Sequence, residues 1–287
     1  MENVCHGKQW DVALAHDDEG NITAALPYLW GTKLGIRYIV QPQLTQYNGP
    51  WYRTGADHNY ADIQLRAHIR HLRLALFLQN FAPGVTELDG WKEYTRTPRV
   101  TYRLEDISNP QQVFDQFDKS RRQRQIKRAE RSLFADPDIT PAQFASFHTD
   151  YWHSRGEKDL LSQDFMVRII TAALQRGQGI LLALRDSEGT LQAARFVAFD
   201  DNCAYALLSA LHPQHPNGAS ALLFWLILQQ LSGKCRSFDF EGSMDEKIAF
   251  SYSLYGAKPT TYYQLMRCPN ALLRKLLKSR TCECVNV

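Results

Sequence analysis

The chain has 287 residues, 44% of them hydrophobic and 22% charged, with 33 basic against 30 acidic side chains and a net charge of +3. That length supports two ordinary domains with substantial cores, and the balance excludes a disordered chain. Charge this mild does not by itself make a nucleic-acid binder, so the placement of the basic residues has to decide.

The longest apolar run, residues 221–228, falls far short of the ~20 residues of a membrane span. Met1-Glu2-Asn3 opens without the basic and apolar regions of a signal peptide, so a soluble, cytoplasmic protein is expected. The six cysteines, Cys5, Cys203, Cys235, Cys268, Cys282 and Cys284, form no CxxC pair. Free thiols in a reducing compartment are the simpler reading. Cys282 and Cys284 lack a neighbouring His, and His68 and His71 share a helix face without a convincing third ligand; no metal site is expected.

In chain order, residues 12–15, the turn Asp17–Asn21 and residues 22–30 read as a hairpin, followed by a strand at 36–44. Ile63, Leu65, Ile69, Leu72 and Leu76 recur at mostly helical spacing and predict a helix over 61–79. Residues 85–88 and 100–104 look extended. A polar helical connector spans about 109–133; its second helix starts at Ser120, with Gln123 completing a capping box. Thr140-Pro141 opens the next helix as N-cap and first residue. Ser162 caps another that stops at Gly177.

Strands follow at 180–185, 191–199 and 203–211, separated by Asp/Ser/Glu/Gly and Asp/Asp/Asn turns. A loop at 212–218 leads to a helix at 219–231, a strand at 237–240, a helix from about Asp245 and a last strand at 261–266. The expected class is α+β (α/β), with mixed, mostly antiparallel sheets flanked by helices.

The order helix, helix, three antiparallel strands, helix, strand, helix, strand resembles the GNAT acyltransferase fold. The strand-turn-helix "FDFEGSMDEKIAFSYSLYGAKPTTYYQL" (238–265) is similar to the end of GNAT-like domains in the Fem peptidyltransferase group. So are "QYNGPWYR" (46–53), like the Gly-Pro turn of their first domain, and "SRRQRQIKRAE" (120–130), like their basic connector. The long coiled-coil arm of some Fem members has no counterpart. The resemblance implies two GNAT-like domains in tandem, 1–106 and 137–267, joined by a basic helical connector at 107–136 and followed by a basic amphipathic tail at 268–287. It implies substrate contacts at Tyr47 and Asn48. It also implies a splayed strand edge beside 203–211 that orients the donor.

"HPQHPNGAS" (212–220) stands where acyl-CoA-dependent relatives carry a pyrophosphate-binding loop. There, loop amides and the next helix N-terminus hold the anion. Gln214, Asn217, Gly218, Ala219 and Ser220 fall on that pattern, with Asn217 in place of the first Gly and Pro213 and Pro216 each removing a donor. The same stretch also reads as a plain connection with Ser220 near a cap. Acyl-CoA is therefore a candidate donor substrate, and no permanently bound cofactor is expected.

Asp239 and Glu241 share side-chain parity at the tip of an apolar strand. A carboxylate there could deprotonate an attacking amine if burial raises its pKa. Glu241, nearer the loop, is the better candidate, and structural pairing of Asp239 beside a solvated Glu241 is the plainer alternative. Tyr255, from a group with Tyr252, Tyr262 and Tyr263, is a candidate proton donor to the leaving group. Tyrosines at such spacing also serve as core residues with a wet hydroxyl.

On the connector, Arg121, Arg124, Arg128 and Arg131 fall within an arc of about 80° at helical pitch, opposite Ile126, Ala129 and Leu133. Arginine's planar fork suits phosphate, so Arg121, Arg124 and Arg128 are candidate contacts to a polyanion; a solvated face is the simpler account. "NALLRKLLKSR" (270–280) is either a helix packed on its domain or a membrane-surface contact.

The expected function is N-acyl or aminoacyl transfer from a thioester or ester donor, acyl-CoA or aminoacyl-tRNA, to a small-molecule or nucleotide-linked amine. The alternatives are a non-catalytic binding protein on a degenerate GNAT fold and a tRNA-dependent, Fem-like aminoacyl transferase acting on a cell-wall precursor.

Overall fold

The computed structural model describes residues 8–85, 88–242 and 244–270. The chain divides into two compact units, residues 1–100 with 260–287 and residues 101–259. It passes from one to the other within β6 (Thr95–Leu104) and returns within β12 (Lys258–Arg267).

In the first unit, β1 (Gln9–His16), β2 (Ile22–Lys33) and β3 (Ile36–Val40) pair antiparallel in sequence, and β4 (Trp51–Tyr52) adds to β2. β3 then runs parallel to β5 (Leu76–Phe81), which pairs antiparallel with β12. Helix α1 (His58–His71) covers the sheet through Ala61, Leu65 and Ile69, with Asp57 capping its start by accepting from the Tyr60 amide at 3.1 Å. Buried Tyr28, Phe77, Phe81, Trp91 and Tyr94 complete this core.

The helix expected over 61–79 is two elements. Leu72 is the C-cap of α1, Arg73 takes φ +50°, and Leu76 already belongs to β5. Ile63, placed on the apolar face by periodicity, is exposed. The extended segment expected at 85–88 is not a strand in its described part; Leu88 precedes a 3-10 turn at Asp89–Trp91. The tail at 268–287 lies outside the described residues from Ala271 onward.

The second unit opens with α2 (Pro110–Gln116), a π-helical turn at Lys119–Gln123 and α3 (Arg124–Ala129). Then come β7 (Phe134–Asp136), α4 (Pro141–Ser154), α5 (Gln163–Gln175), β8 (Gly179–Arg185), β9 (Leu191–Phe199) and β10 (Cys203–Leu211). Helix α6 (Ala219–Leu231), β11 (Ser237–Asp239) and α7 (Glu246–Ser253) complete it. The sheet order is β7-β8-β9-β10-β11, with the end of β6 outside β11. All neighbours are antiparallel except β10 and β11.

The expected α+β architecture, mostly antiparallel with flanking helices, is what the chain adopts. Thr140 caps α4 and Ser162 caps α5 as read from the sequence, and Gln143 adds the second half of a capping box at α4. Helix α6 is apolar nearly all round and buries nine residues, as a helix enclosed by a sheet and further helices requires.

Two readings of the connector change. The cap is Asp118, not Ser120: its carboxylate accepts from the Arg121 amide at 2.7 Å and from the Ser120 hydroxyl at 2.8 Å. Gln123 instead donates to the Phe114 and Phe117 carbonyls. Because a π-helical turn precedes α3, regular helical pitch does not run through Arg121. Ile126, Ala129 and Leu133 are nevertheless buried.

Candidate functional site

The parallel ladder between β10 and β11 lasts only three residues, Cys203–Tyr205 against Ser237–Asp239. At the same point the β10–β9 register slips, so that Ala206 and Leu207 stand opposite one residue of β9. A bulge of this kind bends and re-aims a strand. Beyond it β10 pairs with β9 and no longer with β11. Phe240 and Glu241 follow β11 where that ladder has ended.

Glu241 is off the strand, so strand parity does not place its side chain. It adopts φ +60°, a left-handed conformation that costs a non-glycine residue roughly 1–2 kcal/mol. Asp239, fully buried at 0% exposure, holds it there: its Oδ1 accepts from the Glu241 amide at 2.7 Å and from the Thr101 hydroxyl at 2.5 Å. The other oxygen, Oδ2, lies 3.8 Å from Arg103 Nε. Asp239 is thus a structural carboxylate that fixes the backbone of its neighbour. Glu241 itself is half-buried. Desolvation pushes its carboxyl up to about 8, and the Asp239 charge adds to the push.

Four rings wall this region. Phe240 stacks on Tyr252 (4.5 Å between centroids) and Tyr255 (5.7 Å), and Tyr255 meets Phe224 of α6 at 4.8 Å. Burial raises both tyrosine hydroxyls above their ordinary range, while Arg195 pulls against it at each. Tyr262, grouped with them by sequence, belongs to the other unit, where it packs edge-on against Tyr47 at 5.0 Å. Asn48 lies in that unit too, buried, with its side-chain amide donating to the Pro27 carbonyl at 3.0 Å. Gly49 of the Gly-Pro turn is required by packing, since a Cβ would come within 2.8 Å of Phe81 Cα. Ser243 lies outside the described residues.

The loop before α6 is tightly self-bonded. The Gln214 amide donates to His212 Nδ1, His215 to the His212 carbonyl and Ala219 to the Pro216 carbonyl, at 3.0–3.2 Å. Gly218 takes φ +104° as N-cap, and no side chain caps the helix. A Cβ at Gly218 would run into the Gln125 carbonyl oxygen. Asn217 Oδ1 accepts from Gln125 Nε2 at 3.0 Å, tying the loop to α3. Beside that tie is an open concavity of about 550 Å³ lined by Arg121, Arg124, Lys127, Arg128, Arg131 and Asn217. The basic face and the loop before α6 therefore share one surface.

Two guanidinium groups escaped the sequence reading as site residues. Arg195, on β9, donates from Nε to Ser209 Oγ (2.8 Å) and from Nη2 to Ser220 Oγ (3.4 Å), beneath the Phe224 ring. Arg122 lies over Tyr255 at 4.4 Å. It donates to Gln125 Oε1 (2.9 Å) and to the Ser251 carbonyl (2.9 Å) and hydroxyl (2.5 Å). A charged residue in the apolar strand "AARFVAF" was the available signal for Arg195. Among the described residues no three metal-binding side chains converge, and no helix is long and apolar enough to cross a membrane.

A short parallel ladder that parts beside a bulged strand, with a helix N-terminus following the central hairpin, is the arrangement of GNAT-type folds. Residues 120–252 match the family model described as acetyltransferase (GNAT) domain. FemX, by its crystal structure, is 10% identical with a TM-score of 0.68, covering 90% of this chain and 88% of its own. The C-terminal domain of a putative lysylphosphatidylglycerol synthetase from Agrobacterium fabrum is 13% identical at TM-score 0.60 (94% and 88%). A tandem GNAT protein from the clavulanic acid biosynthesis pathway is 13% identical at TM-score 0.59 (91% and 83%). No curated protein matches the chain at the level of sequence. These findings place residues 120–252 in the GNAT superfamily and give the chain a Fem-like fold.

Proposed function

We propose that the chain is an N-acyltransferase that moves an acyl or aminoacyl group from an ester or thioester donor to an amine, with Glu241 as the base. The observation that carries this reading is Glu241 itself: held in a left-handed conformation by Asp239, just past the parting of β10 and β11, with its carboxyl raised to about 8. A base with that affinity for protons takes one from an ammonium far more readily than an ordinary glutamate does. The neutral amine then attacks the donor carbonyl carbon. Glu241 passes that first proton to solvent. The tetrahedral intermediate then expels the thiolate or alkoxide as the Tyr255 hydroxyl protonates it. The nitrogen's excess proton passes to the freed Glu241 carboxylate, and Glu241 returns a proton to the tyrosinate by way of solvent. No covalent enzyme intermediate is needed, because alignment of the two reactants supplies much of the rate.

The donor is polyanionic on this reading. Pro213 and Pro216 have no amide hydrogen, and the Gln214, His215 and Ala219 amides are spent inside the loop. That leaves fewer donors for a pyrophosphate than a glycine-rich loop offers, and the five cations of the adjoining concavity make up the difference. Such a surface suits an aminoacyl-tRNA at least as well as acyl-CoA. Tandem GNAT-like domains, Tyr47 and Asn48 as substrate contacts, a nucleotide-linked acceptor and a cytoplasmic setting remain parts of the proposal. The deciding experiment incubates the protein with acyl-CoA pools, charged-tRNA pools and mixed amines, and reads product masses. Amide products that vanish with Glu241→Gln support the reading. Donor binding without turnover, in every pool, replaces it with a binding protein on a GNAT fold.

A further inference from the structure

Arg195 and Arg122 approach one aromatic wall from two sides: Arg195 Cζ is 5.9 Å from the Phe224 ring, Arg122 Cζ is 4.4 Å from the Tyr255 ring, and those two rings are 4.8 Å apart. Neither forms an ion pair with a carboxylate among the described residues. Their hydrogen-bond partners are neutral: three serines and a glutamine. Arg122 Nε is buried with no hydrogen-bond partner among the described residues. Burial lowers Arg195 below the ordinary arginine range, and the like charge of Arg122 adds to the effect. The carboxyl of Glu241 is raised by desolvation and by the Asp239 charge, and no ion pair joins it to either arginine among the described residues.

Both residues are partly buried, and a partly buried charge without a counter-ion retains part of its desolvation cost. Two guanidinium groups left in this state, beside the Tyr252 and Tyr255 rings and the Ser220 hydroxyl, form a set rich in hydrogen-bond donors. A planar or tetrahedral oxyanion satisfies it, as guanidinium forks bind two oxygens at once.

We infer that Arg195 and Arg122 recognise an oxyanion, a carboxylate or a phosphate monoester, carried by the amine acceptor. The acceptor class is then an amino acid, a peptide with a free carboxylate or a phosphorylated amine, and not a simple alkylamine. The inference rests on the proposed transfer reaction only for what the oxyanion is attached to; the anion site itself is testable without turnover.

The test uses the full chain carrying Arg121→Gln, Arg124→Gln and Arg128→Gln, so that the outer basic concavity contributes little. Thermal unfolding is followed across a concentration series of sodium acetate, sodium phosphate or sodium chloride at constant ionic strength. A saturable rise in melting temperature with acetate or phosphate over chloride is expected. Adding Arg195→Gln, and separately Arg122→Gln, should weaken the half-saturating concentration at least tenfold. A response to acetate alone assigns a carboxylate, and one to phosphate alone a phosphate monoester. Arg195→Lys provides a second, charge-keeping variant that loses the fork and should bind less tightly than the parent. Equal melting curves in the three salts, or an unchanged response in the Arg195 and Arg122 variants, would overturn the inference. Loss of turnover with an intact anion response would instead count against the transfer reading alone.

Discussion

Replacing Glu241 by Gln isolates the energetic cost of the raised carboxyl. In the unfolded chain a glutamate titrates near 4.5; in the fold this one is pushed up to about 8, first by desolvation and then by Asp239. Between those values the native state holds a proton that the unfolded state has released. Stability must therefore fall as pH rises through that window, by ~1.4 kcal/mol per pH unit and about 5 kcal/mol in all. Glutamine mimics the protonated acid and has no such slope. Urea unfolding at pH 5 through 9 should find the two proteins close at pH 5, with the Gln variant gaining steadily to a lead of order 5 kcal/mol near pH 9. Transfer should behave oppositely, with wild-type kcat/KM rising through an apparent pKa near 8 and the variant slower by ~10²-fold or more. A stability difference that stays constant from pH 5 to 9 would refute the reasoning, since it would mean that the folded carboxyl titrates normally.

Asp239→Asn should destabilise the protein by roughly 2–4 kcal/mol in urea at pH 7, because Arg103 would lose the carboxylate 3.8 Å away. It should also move the activity profile to lower pH, by removing the charge that helps raise Glu241. Tyr255→Phe keeps the ring contacts to Phe117 (5.1 Å) and Phe224 (4.8 Å); stability should stay within ~1 kcal/mol while turnover falls by about 10²-fold. Donors with better leaving groups should narrow that deficit, and an equal deficit with every donor would remove the hydroxyl from the proton path. Replacing Arg121, Arg124 and Arg128 together by Gln should weaken polyanion binding and flatten its salt dependence, by up to ~0.7–0.9 in slope for each phosphate no longer neutralised. Stability should barely change, and identical salt slopes would make these arginines a solvated face.

The sheet of the second unit was legible because its signals agree. β9 and β10 are apolar runs closed by acidic and Asn turns, and α4 opens on the Thr140 cap with Pro141 in its first turn. The failures have physical reasons. Leu72 and Leu76 keep a helical interval across the end of α1, and the reversal between them rests on Arg73 at φ +50°, a residue type that announces no turn. In the connector, Asp118 and Ser120 are both competent caps, and their competition is resolved by the π-helical turn, which no periodicity signals. The strand tip was legible as a candidate site. The division of labour between Asp239 and Glu241 was not, because alternation stops at Asp239 and a backbone amide two residues on decides which carboxylate stays free.

Three costs meet around the end of the β10–β11 ladder. A non-glycine residue takes a left-handed conformation, a carboxyl is held in a place where its charge is disfavoured, and two guanidinium groups lie without a counter-ion among the described residues. Each works against folding, and the ring contacts of the two guanidinium groups offset only part of their cost. The surrounding structure can carry them: nine residues of α6 are buried, and Phe117, Phe224, Phe238, Phe240 and Tyr255 interlock ring against ring. Strain and uncompensated charge that persist inside an otherwise consistent core argue for a ligand that relieves them. On the proposed reading, that ligand brings an ammonium that gives its proton to Glu241 and an oxyanion that the arginines pair with.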